Sequence, residues 1–196
     1  MPARQLAIVE RLIDALRTIW SSEPDPATRM QRAKAVLEHA LADRDLMAHS
    51  RSWPFTTGQN LLLYEDPDFG FVLNATVRVP ESRGLVHDHA HAWTLYGLLD
   101  GSERLERYAR IDDGTRPGYA EIKLLSDTTL LPGMIDFVAP YEIHAERGGA
   151  GRSVALIVRS ERLVGRTLQS GFDPEARTVR AISGPTQVPY ELVEAE

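Results

Sequence analysis

The first fifty residues place apolar side chains at the three- and four-residue spacing of α-helices. In the first segment these positions are Leu6, Val9, Leu12, Ile13, Leu16 and Trp20. Asp25 followed by Pro26 is typical of a helix start, because aspartate accepts from free backbone N–H groups and proline fits the first turn. We therefore predict a second helix from Pro26. His39 and His49 lie in this helical region, and we interpret both as structural or solvated.

From Leu61 onward the pattern changes to short apolar runs broken by glycine, proline and aspartate, such as FGFVLNATVRVP, WTLYGLLDG and SVALIVRS. Many short strands with turns at intervals of roughly ten residues indicate an antiparallel barrel or sandwich. No helical segment separates the runs, which argues against parallel βαβ units. The tail after Leu163 is rich in turn-forming residues and predicts loops with at most one strand.

We therefore expect a single, mainly β domain. Its parts are an N-terminal helical segment packed on the barrel (1–50), the barrel (51–164) and a C-terminal extension of the same domain (165–196).

The composition favours a small-molecule partner. A net charge of −6 argues against binding to nucleic acid, which usually needs a basic surface. The absence of cysteine leaves only nitrogen and oxygen ligands for a metal. No uninterrupted apolar stretch resembles a signal peptide or a membrane span. We expect a cytoplasmic monomer or homodimer with no membrane partner.

Candidate chemistry centres on the stretch GLVHDHAHAWTLYGLLDG, in which His87, His89 and His91 occupy every second position. Residues two apart on a strand point to the same side, so either neighbouring pair could face one metal ion. A stable site needs at least a third protein ligand. His144 is the only other histidine in the β-rich part of the sequence.

This combination resembles the cupin superfamily. His87, His89 and Gly101 match the spacing of the first cupin motif, while Thr94 occupies the usual glutamate position. By this resemblance His87 and His89 form the pair, and His91 lies outside it.

The second cupin motif is approximated by Gly133, Pro140 and His144. The resemblance implies a double-stranded β-helix, the jelly-roll barrel of cupins, with His87, His89 and His144 as metal ligands.

A ligand set of three histidines without a carboxylate is similar to the cysteine dioxygenase branch, and this likeness covers about residues 1–160. It implies a non-heme Fe(II) dioxygenase that uses dioxygen and a small-molecule substrate. Imidazole ligands also suit Ni, Mn, Co or Zn, which remain alternatives.

The likeness fails at three features of that branch, which fall on five positions around the expected site. The Ser-His-Tyr relay of that branch falls on Ala155, Ile157 and Arg159. Its crosslinking cysteine falls on Thr94, and its substrate-binding arginine falls on Leu62. We therefore expect a small thiol or carboxylate-bearing substrate other than cysteine.

Two arginines are candidate catalytic residues. Arg159, at the relay's tyrosine position, could face the metal and bind a carboxylate, or it could pair with Glu161 outside the barrel. Arg78 shares one strand face with Asn74 and Thr76, which either faces the pocket or is the solvated side of an edge strand. No carboxylate partner for either guanidinium is evident in the sequence, and Arg159 is the stronger candidate.

Three functions fit these observations: an iron dioxygenase, a metal-dependent isomerase or lyase, and a non-catalytic ligand-binding cupin. His91 could act as a base near the metal, but a solvent-facing turn position is the preferred interpretation. Tyr96 and Tyr108 are interpreted as packing residues.

Overall fold

The computed structural model describes residues 6–192. Three helices come first: α1 Ala7–Ser22, α2 Pro26–Leu41 and α3 Arg44–Ser50. The Asp25 carboxylate accepts a hydrogen bond from the Thr28 backbone N–H at 2.7 Å, so the predicted cap of α2 is present. His39 is exposed, and His49 accepts a hydrogen bond from the Trp53 indole at 2.8 Å. Within this range, no helix is long and apolar enough to cross a membrane.

The remainder of the described chain forms two six-stranded sheets. The first has the order β12-β1-β2-β9-β4-β7 and the second has the order β11-β10-β3-β8-β5-β6. The strand bounds are β1 Gln59–Glu65, β2 Val72–Arg78, β3 Val86–His87, β4 Thr94–Asp100, β5 Glu103–Arg110, β6 Ile122–Leu130, β7 Ile135–Val138, β8 Ile143–Gly148, β9 Ser153–Arg159, β10 Gln169–Asp173, β11 Thr178–Ile182 and β12 Thr186–Pro189.

Strand pairing in both sheets is antiparallel, apart from the parallel pair of β1 with β12. The mainly β fold with N-terminal helices is confirmed. The prediction for the tail is wrong, because β10 pairs with β3 and β12 pairs with β1. The tail therefore forms part of both sheets and is not limited to one strand.

Alternation along β9 shows how the sheets are packed. Val154, Leu156 and Val158 join the apolar core beneath the helices, whereas Ala155 and Ile157 face the opposite way, into the barrel. The inner cluster also contains residues from β5 and the end of β6, so the two sheets pack against each other. Because side chains alternate along a strand, Arg159 follows Ala155 and Ile157 into the barrel interior.

Gly101 closes the turn between β4 and β5. Its φ of +85° lies in the left-handed region, and a Cβ atom there would lie 2.4 Å from the Arg152 carbonyl oxygen. A glycine is thus required at this position for both conformational and steric reasons.

Candidate metal centre and its cavity

His87, His89 and His144 come together inside the barrel. His87 on β3 is the direct cross-strand partner of His144 on β8, and His89 lies two residues beyond His87. One ligand nitrogen from each ring lies within 4.8 Å of the other two, so the three residues could hold a metal ion. His91, by contrast, lies outside this group.

Backbone carbonyl groups orient two of the three rings. His87 Nδ1 lies 2.9 Å from the Leu85 carbonyl oxygen, and His144 Nδ1 lies 3.0 Å from that of Glu142. In both cases Nδ1–H donates to the carbonyl two residues earlier, which leaves Nε2 with a free lone pair facing inward. Hydrogen bonds of this kind fix the tautomer of metal-binding histidines.

The environment keeps two of the imidazoles neutral. Burial, together with the neighbouring His144 ring, lowers the pKa of His87 to about 4. Burial and the Arg159 guanidinium hold the pKa of His89 well below its usual value. Neutral imidazole is the form that binds metals, so both rings are ready to do so near pH 7.

The spacing of the nitrogen atoms also suits a metal. His87 Nε2 and His89 Nε2 are 3.1 Å apart. Two ligands at right angles, each about 2.1 Å from an ion, would be separated by about 3.0 Å. His144 Nε2 is buried and has no hydrogen-bond partner among residues 6–192, which leaves its lone pair available to an ion.

Arg159 lies against this group of histidines. It is 6% exposed, its Nη2 lies 3.2 Å from His89 Nε2, and its Nε–H donates to Thr94 Oγ1 at 3.0 Å. Burial lowers its pKa to about 10, so the guanidinium remains charged at pH 7. No carboxylate of the described chain forms an ion pair with it. The alternative partner, Glu161, instead contacts His91 Nε2 at 2.9 Å.

Arg78 differs from Arg159 in having carboxylate partners, so for this residue the expectation of no partner is wrong. Its guanidinium lies 3.2 Å from both Glu103 Oε2 and Glu146 Oε2. The edge-strand interpretation is also wrong, since β2 lies between β1 and β9. Thr76 and Arg78 line the barrel cavity.

Glu146 was missed by the sequence analysis. It lies two residues after His144 on β8, is 5% exposed, and brings Oε1 to 3.4 Å from His144 Nε2 without hydrogen-bond geometry. Burial raises its pKa, but the nearby His144, Arg78 and His87 outweigh this and keep the pKa below its usual range. The sequence could have predicted its position, because residues two apart on a strand share a face and Glu146 lies two residues after His144.

The remaining candidates are His91, Tyr96 and Tyr108. The His91 side chain is 47% exposed in the turn before β4. Tyr96 is buried and donates to Glu103 at 2.8 Å, and Tyr108 donates to Glu106 at 2.6 Å. Both tyrosines therefore pack and also donate hydrogen bonds to carboxylates.

One cavity of about 680 Å³ connects the histidine cluster and Arg159 to the surface. Its lining includes two of the histidines, His87 and His89, and the buried Arg159. Polar residues from β1, β2 and the β11–β12 region also line it. A volume of this size is typical of small-molecule sites.

Comparisons with known proteins reveal distant structural likenesses only. No protein-family model matches the sequence, and no curated protein is significantly similar to it. A double-stranded β-helix protein from Klebsiella pneumoniae is 13% identical with a TM-score of 0.43, covering 69% of this chain and 88% of that one. The hydroquinone 1,2-dioxygenase PnpCD, solved with Cd²⁺ and 4-hydroxybenzonitrile, is 13% identical with a TM-score of 0.44, covering 78% and 79%.

The cupin domain of Schizosaccharomyces pombe Cnp3 is 9% identical with a TM-score of 0.41. That match covers 53% of this chain and 60% of Cnp3's cupin chain, less than two thirds of its length. The two facing sheets, with the histidines directed into the barrel between them, identify the fold of this chain as a double-stranded β-helix.

Proposed function

We propose that the protein is a metal-dependent cupin enzyme, and specifically a non-heme Fe(II) dioxygenase acting on a small acidic substrate other than cysteine. The observation that carries this proposal is the charged Arg159 guanidinium, which has no carboxylate ion-pair partner among residues 6–192 and lies beside a cluster of three histidines, two of which line the same cavity. A set of imidazole ligands suits Fe(II), and Ni, Mn, Co and Zn are further candidates.

Electrostatics argues that the substrate is an anion. A buried guanidinium without a counter-charge is unfavourable, and a divalent cation nearby adds to the repulsion. A substrate carboxylate would offset the charge of the guanidinium and its repulsion with the metal ion. It could also accept two parallel hydrogen bonds from Arg159. His87, His89 and His144 would hold the metal, with Thr94 fixing the Arg159 side chain through Nε.

Arg159 would then orient the substrate as well as bind it. Holding the carboxylate at the guanidinium directs a thiol or hydroxyl on the neighbouring carbon toward the histidines. When bound, iron would supply Lewis acidity toward that group and the electrons needed to activate dioxygen.

Free cysteine fits this site poorly. Ala155 and Ile157 replace two members of the proton relay of cysteine dioxygenases, and neither side chain can transfer a proton. Tyr96 on β4 lines the cavity, but its hydroxyl already donates to Glu103, and burial keeps its pKa well above the ordinary value.

Glu146 favours a second candidate function, that of a metal-dependent isomerase or lyase. Its carboxylate lies beside a ligand histidine and lines the same cavity, where it could take part in acid–base chemistry without dioxygen. Turnover under strictly anaerobic conditions would separate this function from the dioxygenase.

The test is oxygen consumption by the Fe(II)-loaded protein with a panel of small thiol acids, hydroxy acids and cysteine. We expect uptake with at least one acidic compound and slow turnover of cysteine. Arg159→Met should raise KM or abolish turnover at unchanged iron content, whereas Arg166→Met, at an exposed ion pair with Glu65, should match wild type. Brisk cysteine sulfinate formation, or wild-type kinetics of Arg159→Met, would contradict the proposal.

A further inference from the structure

We infer that the site accepts a substrate with two anionic groups, one at Arg159 and a second, carboxylate or phosphate, at Arg180 and Arg83 in the cavity mouth. This inference rests on the proposed function for the inner anion only. The second binding point follows from separate features of the β10–β11 hairpin and the segment before β3.

The strand register places Arg180 in line with the candidate metal ligands. Arg180 on β11 lies directly opposite Gly171 on β10, Gly171 lies opposite His87, and His87 lies opposite His144. Directly opposed residues of neighbouring antiparallel strands project from the same sheet face. Arg180 therefore shares the face of the two histidines, about 10 Å from His87 at two strand spacings.

At Gly171, between Arg180 and His87, β10 carries no side chain, and Ile182 of β11 packs over this position instead. Gly171 has no Cβ, and one built there would lie 2.9 Å from Ile182 Cγ2. Ile182 itself lines the cavity, as does Arg180. No side chain of β10 thus projects between Arg180 and the histidines in this row.

Arg83 lies at the same opening. It lines both the main cavity and an adjoining groove, as Arg180 does, so the two arginines stand where the two spaces meet. Its backbone is fixed by a bridge to Arg147, which places two arginines opposite each other. Arg147 is paired with Glu106, so Arg83 is the arginine of this bridge that has no carboxylate partner among residues 6–192.

The charge balance of the cavity supports the same conclusion. Arg78 faces two carboxylates, Glu103 and Glu146, and the charge of Glu146 also partly offsets that of Arg159. The side chains of Arg83, Arg159 and Arg180 form no ion pair within residues 6–192, so three guanidinium groups stand against this one surplus carboxylate. The whole chain carries a net charge of −6, so this excess of unpaired arginine is a local feature. A cavity of about 680 Å³ also has room for a molecule extending from the histidines to the mouth.

The experiment compares anions that differ only in the second charge. Succinate, glutarate and adipate are titrated calorimetrically into the Co(II)-loaded protein at low ionic strength, each beside the monocarboxylate of the same carbon number. At least one dicarboxylate should bind about tenfold or more tightly than its partner. Arg180→Gln should reduce that ratio to within about threefold while leaving the monocarboxylate affinity unchanged. Each tenfold step corresponds to about 1.4 kcal/mol.

Two controls separate this inference from the proposed function. Arg44→Gln removes the charge of another exposed arginine, on α3 and outside the cavity lining, and should keep the wild-type ratio. Arg159→Met should weaken both classes of anion. A ratio near one for every wild-type pair, or an undiminished ratio in Arg180→Gln, refutes the second anionic group. Wild-type binding of monocarboxylates by Arg159→Met would instead refute the inner anion of the proposed function.

Discussion

Removing the Arg78 guanidinium should destabilise the metal-free protein strongly. Arg78→Met keeps most of the side-chain volume. It removes the only cation among residues 6–192 within ion-pair distance of Glu103, whose side chain is fully buried. Glu146, with a side chain 6% exposed, loses the same partner. Breaking a buried ion pair from one side typically costs about 3–5 kcal/mol. We expect the free energy of unfolding to fall by that amount.

The assay is urea unfolding at pH 7 after chelation of metals, followed by tryptophan fluorescence. In a domain of this size, a loss of about 3–5 kcal/mol corresponds to a melting temperature lower by about 6–20 °C. Arg104→Met is the matched control, because its partner Asp127 lies at the surface and the Arg104 side chain is 58% exposed. That change should cost under about 1 kcal/mol.

A second substitution tests the cause of the destabilisation. Adding Glu146→Gln to Arg78→Met removes the charge of one of the two carboxylates that the first change leaves without a cation. The double variant should therefore recover part of the lost stability. If Arg78→Met loses no more stability than Arg104→Met, the buried carboxylates do not depend on the guanidinium and the reasoning is wrong.

Three further predictions concern metal content, pH and helix capping. Elemental analysis should find metal lost from His144→Ala and retained by His91→Ala; the opposite result would overturn the ligand assignment. Arg147 donates to Glu106 and lowers its pKa, so the unfolded state binds this proton more readily and stability should fall as pH drops below about 4.5. Glu106→Gln should flatten that fall in urea titrations from pH 6 to 3, and an unchanged slope would contradict it. Asp25→Ala should cost about 1 kcal/mol in thermal melts, whereas Asp25→Asn should be nearly neutral.

Periodicity predicted the parts of the fold in which each element carries its own signal. Helices α1 and α2 have apolar faces and a cap at Asp25, and the strands of the barrel centre have apolar runs bounded by turns. The strands β10 to β12 were missed because they contain four or five residues each, among turn-forming residues. Such strands have little intrinsic preference for the extended conformation, so their stability depends on pairing with β3 and β1.

The candidate site was predictable to the extent that its residues follow a spacing. The histidines have a motif, and Arg159 follows from alternation along β9 once the direction of Ile157 is known. Arg78 could be placed on the inner face, but its pairing with Glu103 and Glu146 spans two sheets and depends on how they pack. The row from Arg180 to His144 depends on strand register, which the sequence of each strand alone does not specify.

The parallel pairing of β12 with β1 also has a consequence for the order of folding. Gln59 lies opposite Thr186, so this wall of the cavity joins segments from near the two ends of the β-rich region. Contacts between such distant segments form slowly, because the long intervening chain must lose conformational entropy before the contacts can contribute any stabilising free energy. During synthesis, the histidine-bearing strands leave the ribosome well before β12 does. The nascent chain can therefore bring its imidazoles together in a cleft that is still open on one side, and the enclosed cavity is completed only after Pro189 has been translated.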